Sequence, residues 1–317
     1  MIGGKPPRIE SKSHPRCRPR SPQGSLRDGR PSVQGPGPRR RYAPNARCGS
    51  RPEPAAGAIA AEGAPAGDLG AGSGRMILRA AAATDVGLRR RINEDRYALA
   101  PELGLYLVAD GMGGHTAGQV ASELAADAAL QAIRALEGAS ASLAEKLRYA
   151  VASANRAIYT TARDRPELAG MGTTLVCLLA GEGRAALAHV GDSRAYLVRG
   201  GRIRQLTDDH SIVGELLRRH EISEDAAREH PHRHVLTRAL GVRRAVEPDL
   251  AELTPAPNDL FVLCSDGLTN HVEDAEIAKT VSEGDDLQES CERLIDLANG
   301  RGGEDNTTLL IVRCEKD

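Results

Sequence analysis

Thr-Thr-Leu-Val-Cys-Leu-Leu-Ala-Gly-Glu-Gly-Arg-Ala-Ala-Leu-Ala-His-Val-Gly-Asp-Ser-Arg-Ala-Tyr-Leu-Val-Arg-Gly-Gly-Arg-Ile-Arg-Gln-Leu, residues 173–206, holds four aliphatic runs of strand length separated by glycine-rich breaks. The break Gly181-Glu182-Gly183 joins one pair of runs and Gly200-Gly201 joins the next, the latter a two-residue turn of the primed type. Runs joined by such tight turns pair antiparallel. Working outward, further strand-like runs are predicted at 76–84, 103–109, 259–264 and 307–313, mostly aliphatic or β-branched and bounded by Gly, Asp or Pro.

Helical periods fill the intervals. Residues 117–136 carry Val120, Leu124, Ala128 and Ile133 at helical spacing, 143–162 continue in the same manner, and the two helices are expected to pair antiparallel. Helices at 274–282 and 287–299 close the domain, and two short ones at 212–220 and 224–229 lie in a charged stretch that reads as a peripheral flap over about 208–233. Hairpins and separate helix pairs, without strict strand–helix alternation, predict an α+β fold.

The chain divides unevenly. Residues 1–75 are rich in Pro, Gly, Arg, Ser and Ala, with almost no large aliphatic side chain, and are expected to be a disordered tail or to precede the true start at Met76. This tail carries a charge of about +9 and the remainder about −10, so the formal net charge of −1 conceals a strong asymmetry. Tyr42 is its one aromatic residue, so specific nucleic-acid binding is not expected. No run has the pattern of a signal peptide or reaches the roughly 18 apolar residues of a membrane span, which points to a soluble, cytoplasmic protein. Among the six cysteines there is no Cys-x-x-Cys pair; Cys177, Cys264 and Cys314 lie in apolar runs and read as core residues in a reducing compartment.

Acidic residues punctuate this framework. They occur in Arg-Ile-Asn-Glu-Asp (91–95), Val-Ala-Asp-Gly-Met-Gly-Gly-His (108–115), Val-Leu-Cys-Ser-Asp-Gly (262–267) and Gly-Gly-Glu-Asp-Asn-Thr (302–307). Singly, each is an ordinary turn or cap. Together, Asp110 and Asp266 follow apolar strands and Asp305 precedes one, so with Glu94 and Asp95 they predict carboxylates gathered around divalent ions. Oxygen ligands suit magnesium or manganese. Two such ions can activate a shared water and steady a phosphate oxygen. Arg90 is placed to grip a phosphate, and His115 is the candidate proton donor to the leaving oxygen.

These segments resemble the metal-dependent protein serine/threonine phosphatases, the PPM or type 2C family, in their bacterial form. The resemblance extends over 76–314 through Thr-Asp-Val-Gly-Leu-Arg-Arg-Arg-Ile-Asn-Glu-Asp (84–95), Asp-Gly-Met-Gly-Gly-His-Thr-Ala-Gly (110–118), Met-Gly-Thr-Thr (171–174) and Val-Gly-Asp-Ser-Arg-Ala-Tyr (190–196). It continues through Leu-Thr-Asp-Asp-His-Ser (206–211), Val-Leu-Thr-Arg-Ala-Leu-Gly (235–241), Ser-Asp-Gly-Leu (265–268) and Asp-Asn-Thr-Thr (305–308). The family implies a four-layer α-β-β-α sandwich, two antiparallel sheets flanked by helix pairs, in one phosphatase domain over 76–317.

The resemblance also implies roles. Asp110 bridges two Mn2+ or Mg2+ ions; Asp266 and Asp305 complete one site, and the Gly111 carbonyl with water near Glu94 the other. Asp95 orients metal-bound water, Arg90 holds the substrate phosphate, and Asp192 with Asp266 binds a weaker third ion. Hydrolysis of phosphoserine or phosphothreonine on proteins by a bridging hydroxide follows, reversing a cognate serine/threonine kinase. Met112 stands where eukaryotic relatives place the proposed acid histidine, and His115 comes later. Two rival readings remain, a catalytically silent phosphoprotein-binding module and a hydrolase of small phosphate esters.

Overall fold

Parity along each strand builds the molecule. In a computed structural model that describes residues 76–114 and 116–316, eleven strands form among the described residues: β1 Met76–Asp85, β2 Asp95–Ala100, β3 Leu105–Met112, β4 Gly172–Thr173, β5 Leu175–Gly181, β6 Arg184–Val190, β7 Arg194–Arg199, β8 Arg202–Gln205, β9 Asp249–Leu253, β10 Leu260–Cys264 and β11 Thr307–Lys316. The helices are α1 Thr116–Ala135, α2 Leu143–Asp164, α3 Ile212–Arg218, α4 Glu224–Arg228, α5 Asp266–Thr269, α6 Asp274–Glu283 and α7 Leu287–Gly300. The expectations for residues 1–75 and for His115 lie outside the described residues.

The strands make two antiparallel sheets. The first runs β1-β11-β10-β7-β8 and the second β2-β3-β5-β6-β9, with β4 paired to β3. Both predicted hairpins form, and the residues between paired strands, Glu182-Gly183 and Gly200-Gly201, all have positive φ as a primed turn requires.

Successive residues of a strand face opposite sides, and here both sides are apolar. On β3, Tyr106 and Val108 join Val176, Leu178, Phe261, Leu263, Leu310 and Val312 in a core shared by the two sheets. The intervening Leu105, Leu107 and Ala109 pack instead with α1 and α2. On the first sheet, Val262, Cys264, Leu309 and Ile311 turn outward to meet α6 and α7. The result is the α-β-β-α sandwich expected. All four cysteines of the described residues, Cys291 included, are buried and free. No described helix is long and apolar enough to cross a membrane.

Several details depart from the sequence reading, among them the short strand β4 and the one-turn helix α5 that begins at Asp266. Strands β2 and β9 were not foreseen. They are the two edges of the second sheet, and each is largely half-buried or exposed, so charged residues interrupt their apolar pattern. The face that α1 buries is shifted: Ala117, Ala121, Ala125 and Ala129 face the core together with the expected Ile133, while Val120, Leu124 and Ala128 sit at its margin. Small side chains bring the helix close to the sheet, so Ala125→Leu is expected to overpack this contact and cost about 1–3 kcal/mol in denaturant unfolding.

Candidate functional site

The acidic segments meet at one edge of the sandwich. Asp95 opens β2 and lies directly opposite Asp110 of β3 in the antiparallel register. From the first sheet, Asp266 follows β10 and Asp305 precedes β11, two adjacent antiparallel strands whose paired ends lie together. A cleft of about 1180 Å³ is lined by Arg90, Glu94, Asp110, Gly111, Asp192, Asp266 and Asp305, and by flap residues that include Val213, Leu217, Ala227 and Arg228. Asp95 sits behind this lining, almost fully buried.

Local contacts fix each group. The Asp110 N–H donates to Thr174 Oγ1 at 2.9 Å, and the Asp110 carbonyl accepts from Thr173 Oγ1 and the Thr174 N–H, each at 2.8 Å. The Gly111 N–H donates to the Glu94 carbonyl, which also accepts from Ser122 Oγ of α1. A Cβ on Gly118 would fall 2.6 Å from Glu94 Oε1, so glycine there makes room for this carboxylate over the helix. Arg90 Nη2 donates to Asp305 Oδ2 at 2.6 Å, and Nη1 lies 3.8 Å from Glu94 Oε2. The turn that delivers this arginine depends on Gly87, whose φ is +77° and whose Cβ would meet the Asp305 carbonyl at 2.3 Å.

Crowded acids at this edge shift one another. Desolvation by burial, followed by the Asp266 and Asp305 charges and against hydrogen bonds from Ser265 and Thr308, raises Asp95 to about 7. Burial and then the neighbouring aspartates push Asp110 and Asp192 well above the usual carboxylate range, and burial with Asp305 raises Asp266. Among the described residues, Asp95 Oδ1 is buried with no hydrogen-bond partner. Such a set calls for positive charge, and its oxygen-only donors fit magnesium or manganese.

The structure thus brings Arg90, Glu94, Asp95, Asp110, Gly111, Asp192, Asp266 and Asp305 together, while His115 lies outside the described residues. The sequence reading passed over Thr174, Ser265 and Asn306, each of which hydrogen-bonds a segment bearing one of these acids. The available signal was adjacency, since Ser265 and Asn306 directly flank Asp266 and Asp305.

At the root of the flap, His189, His210 and Asp249 bring one potential ligand atom each within 4.8 Å. The His210 Nδ1 accepts the Gly191 N–H at 3.1 Å, which leaves the ring proton on Nε2, 3.2 Å from Asp249 Oδ2. With its lone pair engaged, His210 is no ready ligand; it stacks on His189 at 4.4 Å, and His189 Nε2 lies 2.9 Å from the Asp208 carbonyl. The pair therefore latches the flap root to the turn bearing Asp192.

The class that this fold and site define is a carboxylate-lined phosphoester hydrolase. A family model described as protein phosphatase 2C matches residues 89–307. The serine/threonine phosphatase stp of Listeria innocua is 42% identical over 236 residues, covering 72% of this chain and 93% of that one. The serine/threonine protein phosphatase PstP of Mycobacterium tuberculosis is 43% identical over 238 residues, covering 75% of this chain and 45% of that one. A crystal structure of the PstP catalytic domain in complex with two manganese ions aligns with a TM-score of 0.68 and 38% identity, covering 76% of this chain and 100% of that one. The chain belongs to the protein phosphatase 2C family, in its bacterial form, and is a protein serine/threonine phosphatase.

Burial, then the His189 charge, lowers His210 to about 4, against a reference of about 6.5 in the unfolded chain. Between these values the unfolded chain takes up a proton that the folded one refuses, so this contribution to stability is complete above about pH 6.5 and lost toward pH 4. The stability gap between the wild type and His210→Asn is expected to narrow over that interval, as read from urea unfolding at stepped pH.

Proposed function

We propose that the enzyme hydrolyses phosphoserine and phosphothreonine on proteins at the Asp110–Asp266–Asp305 cleft, reversing a cognate serine/threonine kinase. The observation that carries this reading is the convergence of acids from both sheets beside Arg90 at the rim of a cleft of about 1180 Å³. Asp110, Asp266, Asp305, Glu94 and the Gly111 carbonyl would hold two divalent ions, Mn2+ or Mg2+, and Asp192 with Asp266 a weaker third. The ions, when bound, supply an acidified water and positive charge for the phosphate oxygens.

The remaining work falls to side chains. Arg90 is about half exposed and, among the described residues, paired with the acids Asp305 and Glu94, so its guanidinium can exchange an Asp305 oxygen for a phosphate oxygen and orient the ester. Asp95 lies beneath the cleft with Oδ2 held by Ser265 and Oδ1 unpartnered among the described residues, which suits it to orient the attacking water. His115 is the candidate proton donor to the departing serine or threonine oxygen. The flap forms one wall, where Val213 and Leu217, with Leu236 just beyond the flap, offer apolar surface to residues flanking the phosphorylated side chain.

Hydrolysis of a phosphothreonine peptide by the full chain should require manganese and be abolished by excess EDTA. Asp110→Ala and Asp266→Ala should each eliminate it with the far-ultraviolet circular dichroism retained. Full activity in both variants at saturating manganese would overturn the assignment, and faster turnover of sugar phosphates than of the peptide would replace the substrate class. We place the catalytic domain in 76–317, so deletion of residues 1–75 should leave turnover unchanged, whereas a several-fold loss would give the tail a part in catalysis.

A further inference from the structure

The acids assembled at the cleft stand on two different sheets. Glu94, Asp95, Asp110 and Gly111 belong to the second sheet or the segment entering it, and Asp266 and Asp305 to strand ends of the first. Within a sheet, backbone register sets spacing to fractions of an ångström. Between sheets the contact is apolar packing, which lacks the direction of hydrogen bonds. Like charges facing each other across that seam tend to push its edges apart.

Two buried side chains at the strand ends of the first sheet reach across the seam at the site. The Ser265 hydroxyl donates to Asp95 Oδ2 at 2.8 Å while accepting the Thr308 N–H at 3.0 Å, and the Asp95 oxygen is a much nearer acceptor than the Thr308 carbonyl at 3.4 Å. The Asn306 Oδ1 accepts the Glu94 N–H at 2.8 Å, and its Nδ2 donates to the Ile92 carbonyl at 3.0 Å and the Val86 carbonyl at 2.9 Å. Ser265 and Asn306 are both buried. Ser265 immediately precedes Asp266, and Asn306 immediately follows Asp305. Each acid of the first sheet thus has a chain neighbour that grips the Glu94-Asp95 pair of the second.

We propose that Ser265 and Asn306 are positioning residues that form a cross-sheet clamp, setting the separation of Asp266 and Asp305 from Glu94 and Asp110 and hence the affinity of the site for divalent ions. The clamp rests on the reading of the cleft as a metal site. Ser265 acts through Asp95, and Asn306 through the backbone on either side of Glu94. Neither needs to touch an ion or the phosphate.

The test is calorimetric titration of Mn2+ into the EDTA-stripped full chain, as wild type, Ser265→Ala, Asp95→Asn and the double variant, with peptide turnover measured beside it. Ser265→Ala is expected to weaken Mn2+ binding by about 10–100-fold, as loss of groups supporting metal ligands generally does. It should lower kcat while leaving KM for the peptide unchanged. In the Asp95→Asn background the same substitution should have little further effect, because the group it orients has already been altered. Asn306→Ala should weaken Mn2+ binding as well. Ser265→Cys, which keeps the volume but offers a weak donor, carries the prediction if the alanine variant does not fold.

Wild-type Mn2+ affinity in Ser265→Ala or Ser265→Cys, with only a lower unfolding temperature, would reduce the serine to a structural role and overturn the proposal. An undiminished loss in the Asp95→Asn background would overturn its route through Asp95. Should the wild type bind Mn2+ without cleaving the peptide, the substrate reading fails and calorimetry still decides the clamp.

Discussion

Electrostatic repulsion among the aspartates at one edge of the sandwich is the constraint to which the rest of the structure answers. Asp95, Asp110, Asp192 and Asp266 are each shifted upward by burial and by acidic neighbours. Gathering them costs free energy that must be offset elsewhere, and the offset is the apolar core between the sheets, with Tyr106, Phe261 and the alternating aliphatic residues of β3, β5, β10 and β11. A site assembled at such cost is suited to bind cations tightly, because each bound ion relieves the repulsion.

The same edge divides its duties by depth. At the rim, Arg90 is exposed and paired with the acids Asp305 and Glu94, free to exchange one oxygen partner for another. One layer down, Asp110 is held through its own backbone by Thr173 and Thr174, so its carboxylate position follows from strand register. Deeper still, Asp95 and its hydroxyl partner Ser265 are almost fully buried. The flap is tied separately, by Arg194 with Asp209 at 2.7 Å and by the stacked histidines, so its root is fixed to the Asp192 turn.

Much of this was legible in the chain. The hairpins at Glu182-Gly183 and Gly200-Gly201 were marked by glycine, and the interior strands by apolar runs buried on both faces. The acids were marked by their place at strand ends. Edge strands β2 and β9 were not legible, since a strand paired on one side and partly exposed needs no continuous apolar run. Nor was the buried face of α1, because alanine serves equally at a tight contact and on an exposed turn, and its spacing alone does not tell which.

The sequence by itself determined the acidic segments and most of the strands and helices around them, β2 and α5 excepted, since strand ends, turns and apolar parity are local properties of consecutive residues. Only the tertiary structure decided which acids face one another and what holds them there. Asp95 opposite Asp110 follows from the register of β2 on β3, and Ser265 against Asp95 from the stacking of one sheet on the other across 170 residues of chain. Pairings of that kind depend on how whole layers dock, and no local pattern in the chain encodes the distance between them.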